Sequence, residues 1–95
     1  MPEMVFKIRW PDGQTEDCYS PSLVIKDHLQ PGRDYPLADF QDRTRTALSI
    51  ASERVRAKYG FPCSRALAQI ERIEAGSRPF EDRADASVGV LSFQE

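Results

Sequence analysis

A long amphipathic helix is the feature that most constrains the fold of this 95-residue chain. Between Pro36 and Gly60, apolar side chains recur at steps of three and four, which predicts a helix with one buried face. The stripe consists of Leu37, Phe40, Thr44, Leu48, Ala51, Val55 and Tyr59. Pro36 suits a first helical turn, and Gly60 suits a left-handed residue just past the helix end. We expect Phe61 to fold back on Val55.

The N-terminal segment predicts a β-hairpin. Residues Met4–Trp10 alternate between apolar and polar side chains, which is typical of a half-buried strand. Pro11-Asp12-Gly13 reads as a tight turn in which Gly13 takes a positive φ, and Gln14–Tyr19 is the returning strand.

This turn also predicts a register for the hairpin. Phe6 then faces Cys18 on the core side, and Lys7 faces Asp17 on the other side, where opposite charges favour the pairing. Glu16 falls on the core side. A carboxylate there is acceptable only if its strand lies at the sheet edge and reaches water.

The remaining elements are shorter. In chain order we first expect a short helix with Ser20 as its N-cap and Pro21 in its first turn, which continues through Leu23–Leu29. It is followed by a loop at Arg33–Tyr35, the long helix, a third helix at Cys63–Ala75 stopped by Gly76, and a last strand at Ser87–Phe93. The inward side chains of the third helix are expected to be Ala66, Leu67, Ile70 and Ile73.

The last strand carries apolar side chains on both of its faces. Val88 and Val90 share one face, and Leu91 and Phe93 share the other, with no charge to guard the strand edge. An apolar, unguarded edge usually pairs or is hidden. We therefore expect the segment Ser87–Phe93 to contact a second copy or a partner, with Leu91 at the contact. The alternative is that Phe80 and the polar connection before the strand fold over it within one chain.

These elements predict one α+β domain spanning residues 1–95. The expected order is β-β-α-α-α-β, with the hairpin and the C-terminal strand forming a small three-stranded sheet. The first strand is expected to be central, and two to three helices are expected to cover one face of the sheet.

Charge and composition exclude several classes of protein. Thirteen basic and 15 acidic side chains give a net charge of −2, which argues against a generic nucleic-acid binder. We find no apolar run long enough to span a membrane and no signal peptide, and we expect a cytoplasmic protein. Cys18 and Cys63 are then expected to be free thiols.

Cys63 is the weak candidate for a catalytic residue. At the N-terminus of the third helix, the helix dipole favours a thiolate. A nucleophile needs a base, and nothing in the sequence places His28, the only histidine, beside it. A half-buried residue at a helix junction is the simpler interpretation. The spacing of Cys18, His28 and Cys63 matches no zinc pattern, so we expect no metal and no cofactor.

Arg45 and Arg56 are candidate binding residues. They lie three helical turns apart on one row of the long helix, where they suit an anionic ligand or an acidic partner. Asp42 and Glu53 each precede one of these arginines by three residues, so ordinary ion pairs on a solvated helix face are the alternative.

Four stretches of the chain carry a family resemblance: PEMVFKIRWPDG, CYSPS, PGRDYPLADF and ASERVRAKYGFPCSRAL. Together they resemble a bacterial family of nitrogen-starvation response proteins of about this length. The resemblance implies a gene cluster that also encodes a nitrilase, a radical-SAM protein, an acetyltransferase and a flavoprotein. It implies no reaction, cofactor or catalytic residue.

We therefore expect a non-catalytic accessory or regulatory protein of nitrogen metabolism. Its partner is expected to be a protein, for example a product of the same gene cluster. The alternatives are a small enzyme or ligand-binding protein that uses Cys63, and a homodimer that binds a small anion through Arg45 and Arg56.

Overall fold

A computed structural model describes residues 2–95 and shows one four-stranded antiparallel sheet with two α-helices. The elements are β1 (Met4–Arg9), β2 (Thr15–Ser20), β3 (Arg33–Pro36), α1 (Leu37–Tyr59), α2 (Ser64–Ser77) and β4 (Ser87–Gln94), with short 3₁₀ helices at Leu23–Asp27 and Arg78–Phe80. The strand order is β2-β1-β4-β3. The α+β class and the interior position of β1 agree with the sequence, but the predicted three-stranded sheet with two to three helices is wrong.

The β1–β2 hairpin has the predicted turn and register. Gly13 has a φ of 91°, and its N–H donates to the Trp10 carbonyl at 2.9 Å. Phe6 lies opposite Cys18, and Lys7 lies opposite Asp17. A left-handed glycine at this position follows the tight turn and sets the pairing of both strands.

The missing strand is β3, which we expected to be a loop. Its four residues are Arg-Asp-Tyr-Pro, and only Tyr35 is buried. Asp and Pro are depleted in strands, and a four-residue segment is too short to show alternation. β3 lies at the sheet edge, where a short strand ending in Pro36 offers little template for further pairing.

The last strand is interior, and a β-bulge explains its two apolar faces. Ile8 pairs with Val90, whereas Lys7 pairs with Ser92, so Leu91 is an extra residue without a partner on β1. The extra residue resets the alternation, and Phe93 consequently lies opposite Phe6 on the core side.

We expected one edge of β4 to be free along its whole length, but part of that edge is paired. The segment Ser87–Val90 pairs with β3. The predicted unguarded edge is therefore wrong for the first half of the strand.

The helices between the strands differ from the sequence prediction at their ends. Leu23–Asp27 is a 3₁₀ helix, and its cap is Ser22 rather than Ser20, because the Ser22 hydroxyl accepts the N–H of Val24 at 3.2 Å. Gly76 does not stop α2, which continues to Ser77. A glycine is required at position 76 by a contact with another part of the fold.

Trp10 occupies the space that a side chain at position 76 would need. A Cβ on Gly76 would lie 2.7 Å from Cζ2 of the indole ring. Phe80 stacks on the same ring with centroids 6.3 Å apart, Phe40 meets it edge-on at 6.2 Å, and the indole Nε1 donates to Glu16 at 3.0 Å. Trp10 thus joins the hairpin, both helices and the second 3₁₀ helix.

α1 buries the predicted stripe over only part of its length. Leu37, Phe40, Leu48 and Ala51 are buried, but Tyr59 is 54% exposed. The helix has 23 residues and is about 35 Å long, whereas the six-residue strands span about 20 Å. The last turns of α1 therefore extend beyond the core of the protein.

One face of α2 lies against the hairpin. Its members are Arg65, Gln69, Arg72 and Gly76. Gln69 Oε1 accepts the backbone N–H of Tyr19 at 2.9 Å, and Arg72 donates to the Glu16 carboxylate at 2.8 Å. α2 thus occupies the Tyr19 N–H at the outer edge of β2, and Glu16 lies on an edge strand as predicted.

The core prediction concerns Leu48, which is fully buried in the middle of α1. We expect Leu48→Ala to lower the free energy of unfolding by about 2–5 kcal/mol, because it leaves a cavity between the helix and the sheet. Arg54→Ala, on an exposed position of the same helix, should change it by less than about 0.5 kcal/mol. Urea denaturation measures both, and equal losses would contradict the assigned buried face.

A second prediction reverses the usual effect of alanine in a helix. Ala normally stabilises a helix by about 1 kcal/mol relative to Gly. We expect Gly76→Ala instead to destabilise the protein by about 1–3 kcal/mol, because the new methyl group collides with Trp10. The loss should shrink or reverse in a Trp10→Phe background, measured by circular dichroism because Trp10 is the only tryptophan. A stabilised Gly76→Ala protein would contradict the packing described.

Candidate functional site

The most unusual surface lies at the bend between α1 and α2. Tyr59 is 54% exposed, Phe61 is 65% exposed and Leu67 is 44% exposed. Since α1 and α2 form a helical hairpin, distinct from the β1–β2 hairpin, we call these three side chains at its bend the hairpin tip. Phe61 does not gain the expected burial against Val55, and Leu67 does not point inward as the sequence suggested. Large apolar side chains that remain exposed close together in the chain are typical of interaction sites.

The backbone of the bend is held in a defined conformation. Gly60 is left-handed, with a φ of 89°, and its N–H donates to the Arg56 carbonyl at 2.8 Å, so α1 ends as predicted. The N–H of Cys63 donates to the Ser52 hydroxyl at 3.2 Å, which ties the start of α2 back to α1. A surface presented on such a bend binds with little ordering cost.

Cys63 is the N-cap residue of α2 and is half-buried. His28 is not placed beside it. The His28 carbonyl accepts a hydrogen bond from Arg43, whereas Cys63 contacts Ser52. Arg43 and Ser52 lie about 14 Å apart along α1. The structure therefore does not assemble the cysteine–histidine pair that a nucleophile would need.

Tyr19 is an ionisable side chain whose pKa is affected by Cys63. The pKa of Tyr19 is raised to about 12, mainly by burial and then by the hydrogen bond to Glu3 at 2.9 Å and the Glu3 charge. Arg65 opposes these effects, and Cys63 adds a small further increase to the same total. A phenol with a raised pKa stays protonated at neutral pH and is no base for a thiol. In Cys18, burial raises the pKa of the thiol, which favours its neutral form.

Arg45 and Arg56 each bind a carboxylate of this chain. Arg45 donates twice to Glu74 of α2, at 2.9 and 3.1 Å, and so links the two helices. Arg56 donates to Glu53, as the spacing predicted, and this hydrogen bond raises the pKa of the Arg56 guanidinium. Asp42 is not the partner of Arg45. The two arginines lie about 16 Å apart along α1 and do not converge on one ligand.

Leu91 lies half-buried at the β-bulge of β4. Its place in the sheet is explained by the bulge, without a second protein chain. A contact through Leu91 stays a prediction, but the exposed apolar side chains of the hairpin tip are the stronger candidates for a partner.

Two further classes of site are absent from the described residues. Nowhere between positions 2 and 95 do three or more His, Cys, Asp or Glu side chains come together as a group that would hold a metal ion. Neither α-helix of this part of the chain has the length and apolar character needed to cross a membrane.

Sequence reasoning missed the hairpin tip because periodicity cannot show where a core ends. Tyr59 continues the stripe of α1, and Leu67 fits the stripe of α2, so periodicity alone predicts that both are buried. The lengths of the predicted helix and strands could have shown that the end of α1 is exposed. A 23-residue helix cannot be covered by six-residue strands, and its surplus turns must lie outside the sheet.

Fold and surface together define a small α+β protein in which an antiparallel sheet carries a protruding helical hairpin. The sequence profile of the nitrogen starvation-induced protein NitG matches residues 5–93. Because this match spans nearly the whole chain, the protein belongs to that family, as the resemblance implied. No curated protein and no solved structure matches the chain significantly.

The raised pKa of Tyr19 gives a prediction for alkaline pH. An ordinary tyrosine titrates near pH 10. Between about pH 10 and 12 the unfolded chain releases a proton that folded Tyr19 retains, so stability falls as the pH rises through this window.

We expect tyrosinate absorbance to show one group titrating near pH 12 that is missing from Tyr19→Phe. Glu3→Gln should lower that pKa, because it removes both a charge and a strong hydrogen-bond acceptor. An unchanged pKa in Glu3→Gln would show that Glu3 does not act on Tyr19.

Proposed function

We propose that this protein acts in the nitrogen-starvation response as a non-catalytic accessory protein that binds a protein partner through the hairpin tip. The observation that carries the proposal is the exposure of Tyr59, Phe61 and Leu67 on a well-defined bend. The partner is one present during nitrogen limitation, for example another product of the nitrilase-containing gene cluster that the family resemblance implies.

The energetics of binding favour such a surface. A few large side chains near the centre of an interface usually supply most of the affinity, and aromatic residues are enriched among them. Tyr59 and Phe61 offer two rings of this kind. Both lie outside the core, so the fold itself gains little from keeping them apolar.

Chemical considerations argue against the enzyme alternative. Within residues 2–95 the structure does not bring His28 to the thiol of Cys63, and Tyr19 holds its proton more tightly than an ordinary tyrosine. The anion-binding homodimer is also disfavoured, because Arg45 and Arg56 are already bound to Glu74 and Glu53.

A capture experiment tests the proposal. The tagged protein is immobilised and exposed to extract from nitrogen-starved cells. We expect Phe61→Ser to reduce capture of a specific partner at least tenfold, because it removes the most exposed ring of the tip. Ile50→Ser is the matched control, since Ile50 is an exposed apolar residue of α1 outside the tip.

Both variants should unfold within about 0.5 kcal/mol of the wild type, which denaturation checks. Equal capture by wild type and Phe61→Ser would contradict the proposal. So would loss of capture in Ile50→Ser alone. A wild-type dimer that dissociates in Phe61→Ser would instead assign the tip to self-association.

A further inference from the structure

We infer that the partner of the hairpin tip presents an acidic surface around an apolar pocket. This inference rests on the proposed function and adds the chemistry of the partner to it. It is carried by the distribution of charge around the exposed side chains.

The bend is basic within an acidic protein. From Arg54 to Ile70 the chain has four basic residues and no acidic one. They are Arg54, Arg56, Lys58 and Arg65. The other residues hold nine basic and 15 acidic side chains, so positive charge is concentrated where the apolar side chains are exposed. Such a separation of charge orients a protein toward a complementary surface.

Two of these four basic residues make ion pairs inside the chain. Arg56 binds Glu53 at 2.9 Å, and Arg65 lies 3.9 Å from Glu3 while covering the Tyr19 ring. Within residues 2–95, Arg54 and Lys58 make no ion pair, although Lys58 lies 5.5 Å from the centroid of the Tyr59 ring. Arg54 and Lys58 are one helical turn apart, so one acidic patch can contact both.

Other anionic partners fit this surface less well. A nucleic acid would be repelled by the acidic remainder of the protein. A lipid surface binds helices that present a continuous apolar face, whereas the last turns of α1 are mostly charged. Three apolar side chains on a bend match a pocket in a protein better than a bilayer.

The test uses two short synthetic peptides and amide chemical shifts of the labelled full-length protein. One peptide repeats Asp-Leu-Glu-Phe, and the other has Asn and Gln in place of the acids. We expect the acidic peptide to shift amides of residues 54–67 and to bind at least about tenfold more tightly than the neutral one. Its affinity should fall as the salt concentration is raised from about 0.05 to about 0.5 M.

Charge variants locate the effect. Arg54→Gln/Lys58→Gln should weaken binding of the acidic peptide about tenfold. Arg9→Gln/Arg78→Gln is the matched control, because both residues are exposed and make no ion pair within residues 2–95. Equal weakening in both variants, equal affinity for both peptides, or no binding of the acidic peptide would overturn the inference.

Two further results would also overturn it. One is stronger binding to vesicles of phosphatidylcholine and phosphatidylserine in equal amounts than to the acidic peptide. The other is a wild-type dimer that dissociates in Arg54→Gln/Lys58→Gln. If Phe61→Ser abolishes partner capture while Arg54→Gln/Lys58→Gln captures normally at every salt concentration, the acidic partner is excluded and the proposed function stands.

Discussion

The packing of Trp10 against α2 is the contact on which the arrangement of this protein depends. The indole lies where a side chain at Gly76 would be, and it also contacts both Phe40 of α1 and Phe80 of the second 3₁₀ helix. Its N–H reaches the Glu16 carboxylate, which Arg72 holds from α2. One residue at the end of β1 thereby fixes α2 along the edge of the sheet, and the position of α2 determines where the bend with α1 emerges.

The sequence predicted the parts of this fold that are governed by local rules. The hairpin register follows from a turn that needs a left-handed Gly13, and the end of α1 follows from Gly60. The family was recognisable from motifs along most of the chain. The predictions that were wrong concern features determined by tertiary contact. The composition of β3 is unlike that of a strand, and Gly76 leaves room for the indole ring of Trp10 rather than ending the helix.

The candidate surface was predicted less well than the fold, for a related reason. A helical stripe shows which side chains share a face, but burial depends on what lies opposite that face. Tyr59 belongs to an apolar stripe and yet reaches solvent, because α1 is longer than the strands. Leu67 fits the stripe of α2 and is also exposed. Arg56 pairs with its helical neighbour as expected, whereas Arg45 binds Glu74, which is distant in sequence.

The bulge in β4 has a consequence for how the length of this chain can vary in evolution. Leu91 adds a residue to β4 without adding a cross-strand pair, since Val90 pairs with Ile8 of β1 and Ser92 pairs with the adjacent Lys7. A relative lacking this residue would keep every cross-strand partner and every inward side chain of the strand. A relative lacking Gly89 would turn Val88 toward solvent. Single-residue gaps among related sequences should therefore collect at the bulge and avoid the first half of the strand.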